Sequence, residues 1–150
     1  MKIIEQIEKH ILYIISQSNY VRERQVSIFS NSPIYYKAPY IKVGSIYSMP
    51  WNFGDHNGII AHIMIEIIGM PMTELNFQSE NKILPIMLSL IESLKAPEHL
   101  ETLQISATET LTYDPQKMQI LWNRVYESRL NHKAIEKGEI CLSVHAFNSA

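Results

Sequence analysis

One cysteine, Cys141, is present in 150 residues. A lone cysteine forms no internal disulfide, and without CxxC or Cys/His spacing the chain lacks the donor set of a structural zinc site. Five glycines occur, Gly44, Gly54, Gly58, Gly69 and Gly138. None belongs to a GxGxxG or GxxxxGK pattern, so a glycine-rich cradle for nucleotide phosphates is not expected. No GxSxG elbow frames a serine, which leaves a Ser–His–Asp triad without support. The longest apolar run, Ile59 to Ile68, includes His62 and Glu66. It falls well short of the roughly 20 residues a membrane-spanning helix needs. The opening MKIIEQIEKHILYIIS breaks its apolar positions with Glu5, Glu8, Lys9 and His10, unlike a secretory signal. A soluble cytoplasmic protein with no membrane association is the expectation.

Bases are scarce in the middle of the chain. Between Val43 and Gln116 stand nine carboxylates (Asp55, Glu66, Glu74, Glu80, Glu92, Glu98, Glu101, Glu109 and Asp114) and two bases, Lys82 and Lys95. The flanks carry the other eleven bases and six acids, so a net charge of −2 conceals about −7 in the middle and +5 at the ends. Segregated charge is how a surface attracts a partner of opposite sign. With 46% apolar and 19% charged residues, the composition is that of a globular protein.

The pattern along the chain predicts one domain over 1–150: α+β, helix-rich, with about four main helices and a small irregular antiparallel sheet. Ile4, Ile7, Ile11 and Ile14 mark one stripe of a helix over 2–18. From Tyr20 to Phe53, tyrosines, three prolines and short β-branched runs suggest short strands broken by turns, because Pro33, Pro39 and Pro50 disfavour long central ones. Asp55 as N-cap and Gly69-Met70-Pro71 as terminator frame a helix over 59–68, although its six isoleucines favour a strand and Asn57-Gly58 is a hairpin signal. A helix over 79–94 is expected to begin about three residues before Pro85. Leu103, Ile105, Ala107, Leu111 and Tyr113 alternate like a strand pair. Asp114-Pro115 opens a helix to about Glu136, with Met118, Leu121, Trp122, Val125, Tyr126 and Leu130 inward and Gly138 as its stop. A last strand covers 140–147, which makes Cys141 a core residue rather than a nucleophile.

Three groups of residues could carry function. On a helix, Asp55, His62 and Glu66 would share one face, with His56 at its entrance, and could hold a metal in a small enzyme or metal-binding domain. The blander expectation is a capping aspartate and a His–Glu hydrogen bond. Tyr35, Tyr36, Tyr40 and Tyr47 interleave with Lys37 and Lys42 downstream of Arg22 and Arg24, as in a single-stranded nucleic-acid-binding module. A pI near 6.3 argues against a phosphate-binding groove there. Third, Glu98, Glu101, Glu109 and Asp114 occur with no base between Ala96 and Gln116, and suit electrostatic capture of a basic protein, with Trp51 and Phe53 as candidate anchors.

The sequence therefore favours a toxin-neutralising immunity protein that occludes a basic, nucleic-acid-cleaving bacterial toxin domain through an acidic surface. No catalytic residue, cofactor, metal or nucleic-acid partner is expected. The stripe of the first helix also leaves a homodimer open.

Overall fold

In the computed structural model, residues 2–30, 39–53, 56–71, 83–95, 103–104, 110–113, 119–130 and 133–149 are described. They form three helices, α1 (Lys2–Ser16), α2 (Asn19–Arg24) and α3 (Ile83–Lys95). Seven strands accompany them: β1 (Ser27–Phe29), β2 (Tyr40–Phe53), β3 (His56–Pro71), β4 (Leu103–Gln104), β5 (Thr110–Tyr113), β6 (Gln119–Leu130) and β7 (Lys133–Ser149). The expectation of a helix-rich domain with four main helices is overturned. Strand dominates, in one mixed sheet ordered β1-β2-β3-β7-β5-β4, with β6 also pairing β7.

The isoleucines decide the largest correction. Ala61, Ile63, Ile65 and Ile67 are fully buried, while His62, Met64 and Glu66 between them are only half-buried. That period of two is a strand, and 59–68 lies inside β3 rather than in a helix. The β-branched side chains prevail over the apparent caps because β3 has a strand on each side: β2 pairs it from Tyr40↔Ile68 to Phe53↔His56, and β7 from Gly58↔Phe147 to Pro71↔Ile135. β2 is also one long strand rather than several short ones. A register shift between Ser45 and Tyr47 breaks its alternation. On its other edge β2 pairs β1 only at Tyr40–Lys42, so Pro50 sits where, among the described residues, one edge of the ladder is open.

The helix expected over 115–136 is likewise replaced by β6 and the start of β7, paired from Gln119↔Ser143 to Leu130↔Lys133. Gly138, expected as a helix stop, lies within β7, and Gly69 within β3. Both make room for α3. A Cβ at Gly138 would approach Met87 Cε to 2.7 Å and Ile83 Cγ2 to 2.8 Å, and one at Gly69 would press into the Glu136 carbonyl oxygen and Ile83. Ile83 N, at the start of α3, donates to Glu136 Oε1 at 2.9 Å and so anchors the helix to β7.

Helix α1 matches the sequence expectation, as does α3 from Ile83 onward. Of the expected strand pair, Leu103, Leu111 and Tyr113 lie in the paired β4 and β5, while Ile105, Ala107 and residues 79–82 lie outside the described residues. Ile7, Ile11 and Ile14 of α1 meet Ile83, Ile86, Met87, Leu90 and Leu94 of α3 over Ile41, Val43, Ile63, Ile65, Ile67, Ile140, Leu142 and Val144 of the sheet. One continuous apolar layer thus lies between the helices and one face of the sheet. No helix among the described residues is long and apolar enough to cross a membrane.

Candidate interaction surface

The face turned away from the helices is polar at its centre. Register aligns Lys42, Glu66, Glu139 and Arg124 across β2, β3, β7 and β6. Two carboxylates therefore stand directly opposite each other, an arrangement that is unfavourable without compensation. Compensation comes from both sides. Lys42 Nζ lies 2.8 Å from Glu66, and Lys137 Nζ lies 3.3 Å from Glu66 and 4.0 Å from Glu139. Arg124 reaches Glu139 at 3.3 Å, and the Tyr126 hydroxyl donates to the same carboxylate. Burial pushes the Glu66 carboxyl up, but the hydrogen bond and charge of Lys42 together with Lys137 outweigh it and hold the group below its ordinary range. Burial likewise lowers Lys137, and Glu66 more than reverses it, so its ammonium is held above the usual value. Tyr126 is raised by burial and by its bond to Glu139.

This network changes the meaning of two sequence expectations. Glu66 belongs to the acidic middle, yet its charge is met by bases from both flanks, so sorting along the chain is partly undone by folding. Nor do His62 and Glu66 form a compact ligand pair. Four residues of strand separate them by about 13 Å, where a helix would bring them within about one turn. The His62 ring instead packs edge-on against Tyr47, with centroids 4.5 Å apart. Asp55 lies outside the described residues. Cys141 is buried on this face, and burial first, then the charge of Glu139, pushes its thiol up, which disfavours a nucleophilic thiolate.

The tyrosine–base set of 20–47 is dispersed. Arg24 stacks on Tyr20 at 5.5 Å, Tyr40 is buried with Ile68, Ile135 and Phe29, and Lys42 is engaged by Glu66. Tyr35, Tyr36 and Lys37 lie outside the described residues, as do Glu98, Glu101, Glu109 and Asp114. Trp51 and Phe53 occupy the end of β2, in register with Gly58 and His56.

Sequence reasoning missed β6. Its residues Leu121, Trp122 and Val125, expected inward, are 44%, 40% and 38% exposed. Arg124 Cζ lies 5.3 Å from the Trp122 ring centre and 4.4 Å from that of Tyr126. Pairing places Trp122, Arg124 and Tyr126 beside Cys141, Glu139 and Lys137 on one face, and Asn123, Val125 and Glu127 on the other. α3 packs on β3 and β7, and Val125, on the helix side of β6, stays partly open to solvent. Among the described residues no strand pairs with the other edge of β6. A second, smaller apolar feature is the exposed Leu84 and Leu88 on one side of α3. Comparison with models of known families and with curated proteins finds no match.

Proposed function

We propose that this protein works by binding another protein, and that β6 is part of the surface it uses. The carrying observation is the composition of that strand. Three large apolar side chains are exposed beside an arginine stacked between a tryptophan and a tyrosine. Trp, Tyr and Arg are the residues that dominate binding energy at protein interfaces, and a strand edge adds backbone donors and acceptors that a partner can pair. Trp122→Ala should weaken capture of a partner by about 2 kcal/mol or more, against less than about 1 kcal/mol of folding stability. Calorimetric titration and urea unfolding of the same variant measure the two. Unchanged affinity with a large loss of stability would make β6 a structural strand only.

A narrower proposal is that the partner is a basic toxin domain neutralised by this protein. The excess of carboxylates between Val43 and Gln116 supports it, with Glu98, Glu101, Glu109 and Asp114 as the attracting charges and Trp51 and Phe53 as anchors. β6 does not favour a basic partner, because Arg124 and Arg129 are exposed on it. Co-expression with the product of the adjacent gene tests the proposal. Protection from that product, lost when Glu98 and Glu101 are both replaced by Lys, is the expected result. No protection and no co-purification would remove the toxin-neutralising role and leave the β6 surface to be judged on its own.

A further inference from the structure

We infer that β6 pairs with β6 of a second copy of this chain, antiparallel about a two-fold axis at Val125, so that the sheet continues across two protomers. The inference rests on β6 being a binding surface and names its occupant. Edge shape is the first ground. β6 offers twelve residues in one strand, whereas the opposite edge is stepped among the described residues, with the three residues of β1 standing outside the part of β2 beyond Lys42. A head-to-tail union of the two edges has to accommodate that step, whereas self-pairing of β6 joins two unstepped, equal edges.

Register is the second ground. A two-fold axis normal to the sheet keeps each face continuous, so it must pass through a residue and not between two. Centred on Arg124 it would set that arginine against its own copy, and centred on Glu127 it would oppose two carboxylates. Centred on Val125 it places Arg124 against the second copy's Tyr126, Asn123 against Glu127, and Trp122 against Ser128. No charge meets its own sign. The cation–aromatic row of Trp122, Arg124 and Tyr126 then runs on from one protomer into the next. Val125, exposed on the helix side, is covered by its counterpart. A centre at Tyr126 also avoids like charges, but it sets Val125 against Glu127 and overlaps fewer residues. Charged residues commonly protect an edge strand from indiscriminate pairing. On β6 they disfavour the registers centred on Arg124, Glu127 and Arg129, and of the registers left free of repulsion the one at Val125 overlaps the most residues.

Sedimentation velocity of the purified chain over about 1–200 µM is the test, with Val125→Lys as the disrupting variant and Leu88→Lys on α3 as the control. The wild type and Leu88→Lys should dimerise alike, and Val125→Lys, which opposes two ammonium groups at the axis, should raise the dissociation constant at least about tenfold. Cysteine trapping gives an independent reading should Val125→Lys fail to fold. Residues directly opposite across an antiparallel pair have Cβ atoms about 4.5–5.5 Å apart, near disulfide reach, whereas two residues offset by four are about 13 Å apart. Val125→Cys should cross-link to dimer under mild oxidation, and Asn123→Cys should not. A wild type that stays monomeric throughout, a dimer indifferent to Val125→Lys, or equal cross-linking at both positions overturns the inference. If a monomeric chain still captures a different protein and Trp122→Ala abolishes that capture, β6 is a binding surface whose occupant is not a second copy.

Discussion

β3 and β6 are both long strands that pair with β7, yet β3 lies in the interior of the sheet and β6 at its edge among the described residues. β3 is flanked by β2 and β7 and lies beneath the helices, with Ile63, Ile65 and Ile67 fully buried. β6 has β7 on one side, and Leu121, Trp122 and Val125 remain in contact with solvent. Apolar side chains thus serve two purposes in this chain. In β3 they stabilise the fold; in β6 they make a surface available. Burial, rather than hydrophobicity, separates the two.

The largest expected difference follows directly. Ile65→Ala removes a fully buried side chain and should cost about 2–5 kcal/mol in urea unfolding. Val125→Ala, on an exposed site, should cost less than about 1 kcal/mol. Equal losses would mean that β6 is as much a part of the core as β3.

The two glycines beneath α3 give a finer contrast. Gly69→Ala forces a methyl against the backbone oxygen of Glu136, which cannot move aside without disturbing β7, while Gly138→Ala meets the side chains of Met87 and Ile83. Both should destabilise, Gly69→Ala by about 2–3 kcal/mol and Gly138→Ala by about 1–2 kcal/mol, because the Met87 terminus is flexible. Thermal unfolding of the pair checks the order, and a reversed order would mean that α3 is held more rigidly than the strand register.

A smaller effect belongs to the charge row that joins β3 to its neighbours. The Glu66 carboxyl is held below its ordinary range, so its contribution is complete above the unfolded value of about 4.3 and is lost as pH falls through the lower folded value. Lys137 is held above its ordinary value, so its contribution is complete below about 10.4 and is lost as pH rises through the higher folded value. Glu66→Gln should reduce stability by about 1–3 kcal/mol at neutral pH and weaken its dependence on pH at both ends. Urea midpoints between acid and alkaline pH measure this, and a variant with the wild-type profile would show the row to be energetically idle.

Why some of this was legible in the sequence and some was not comes down to bulges and long-range partners. α1 was readable because charged residues separate isoleucines at helical spacing, and α3 because Pro85 is tolerated only near a helix start. β3 satisfied the end signals of a helix, and its β-branched content was the better guide. β6 was misread because a register shift between Ile120 and Trp122 interrupts its alternation. Leu121, Trp122, Val125 and Tyr126 then imitate helical spacing. The shift between Ser45 and Tyr47 fragmented β2 in the same way. Glu66 read as part of an acidic stretch because Lys42 and Lys137 are distant in sequence and adjacent only across the sheet. The exposure of β6 had no local signal at all, since it depends on which elements stand beside and over β6.

Amide hydrogen exchange of the wild-type chain at two concentrations, one well below and one well above the range in which it associates, tests the division between β3 and β6 most directly. Amides of 56–71 should be strongly protected and unchanged between the two conditions, because their partners lie within the chain. Amides of 119–130 that point away from β7 should exchange rapidly when dilute and become protected when concentrated. Protection of β6 that is already complete in the dilute sample, or that never rises with concentration, would contradict the assignment of β6 as an open strand awaiting a second copy.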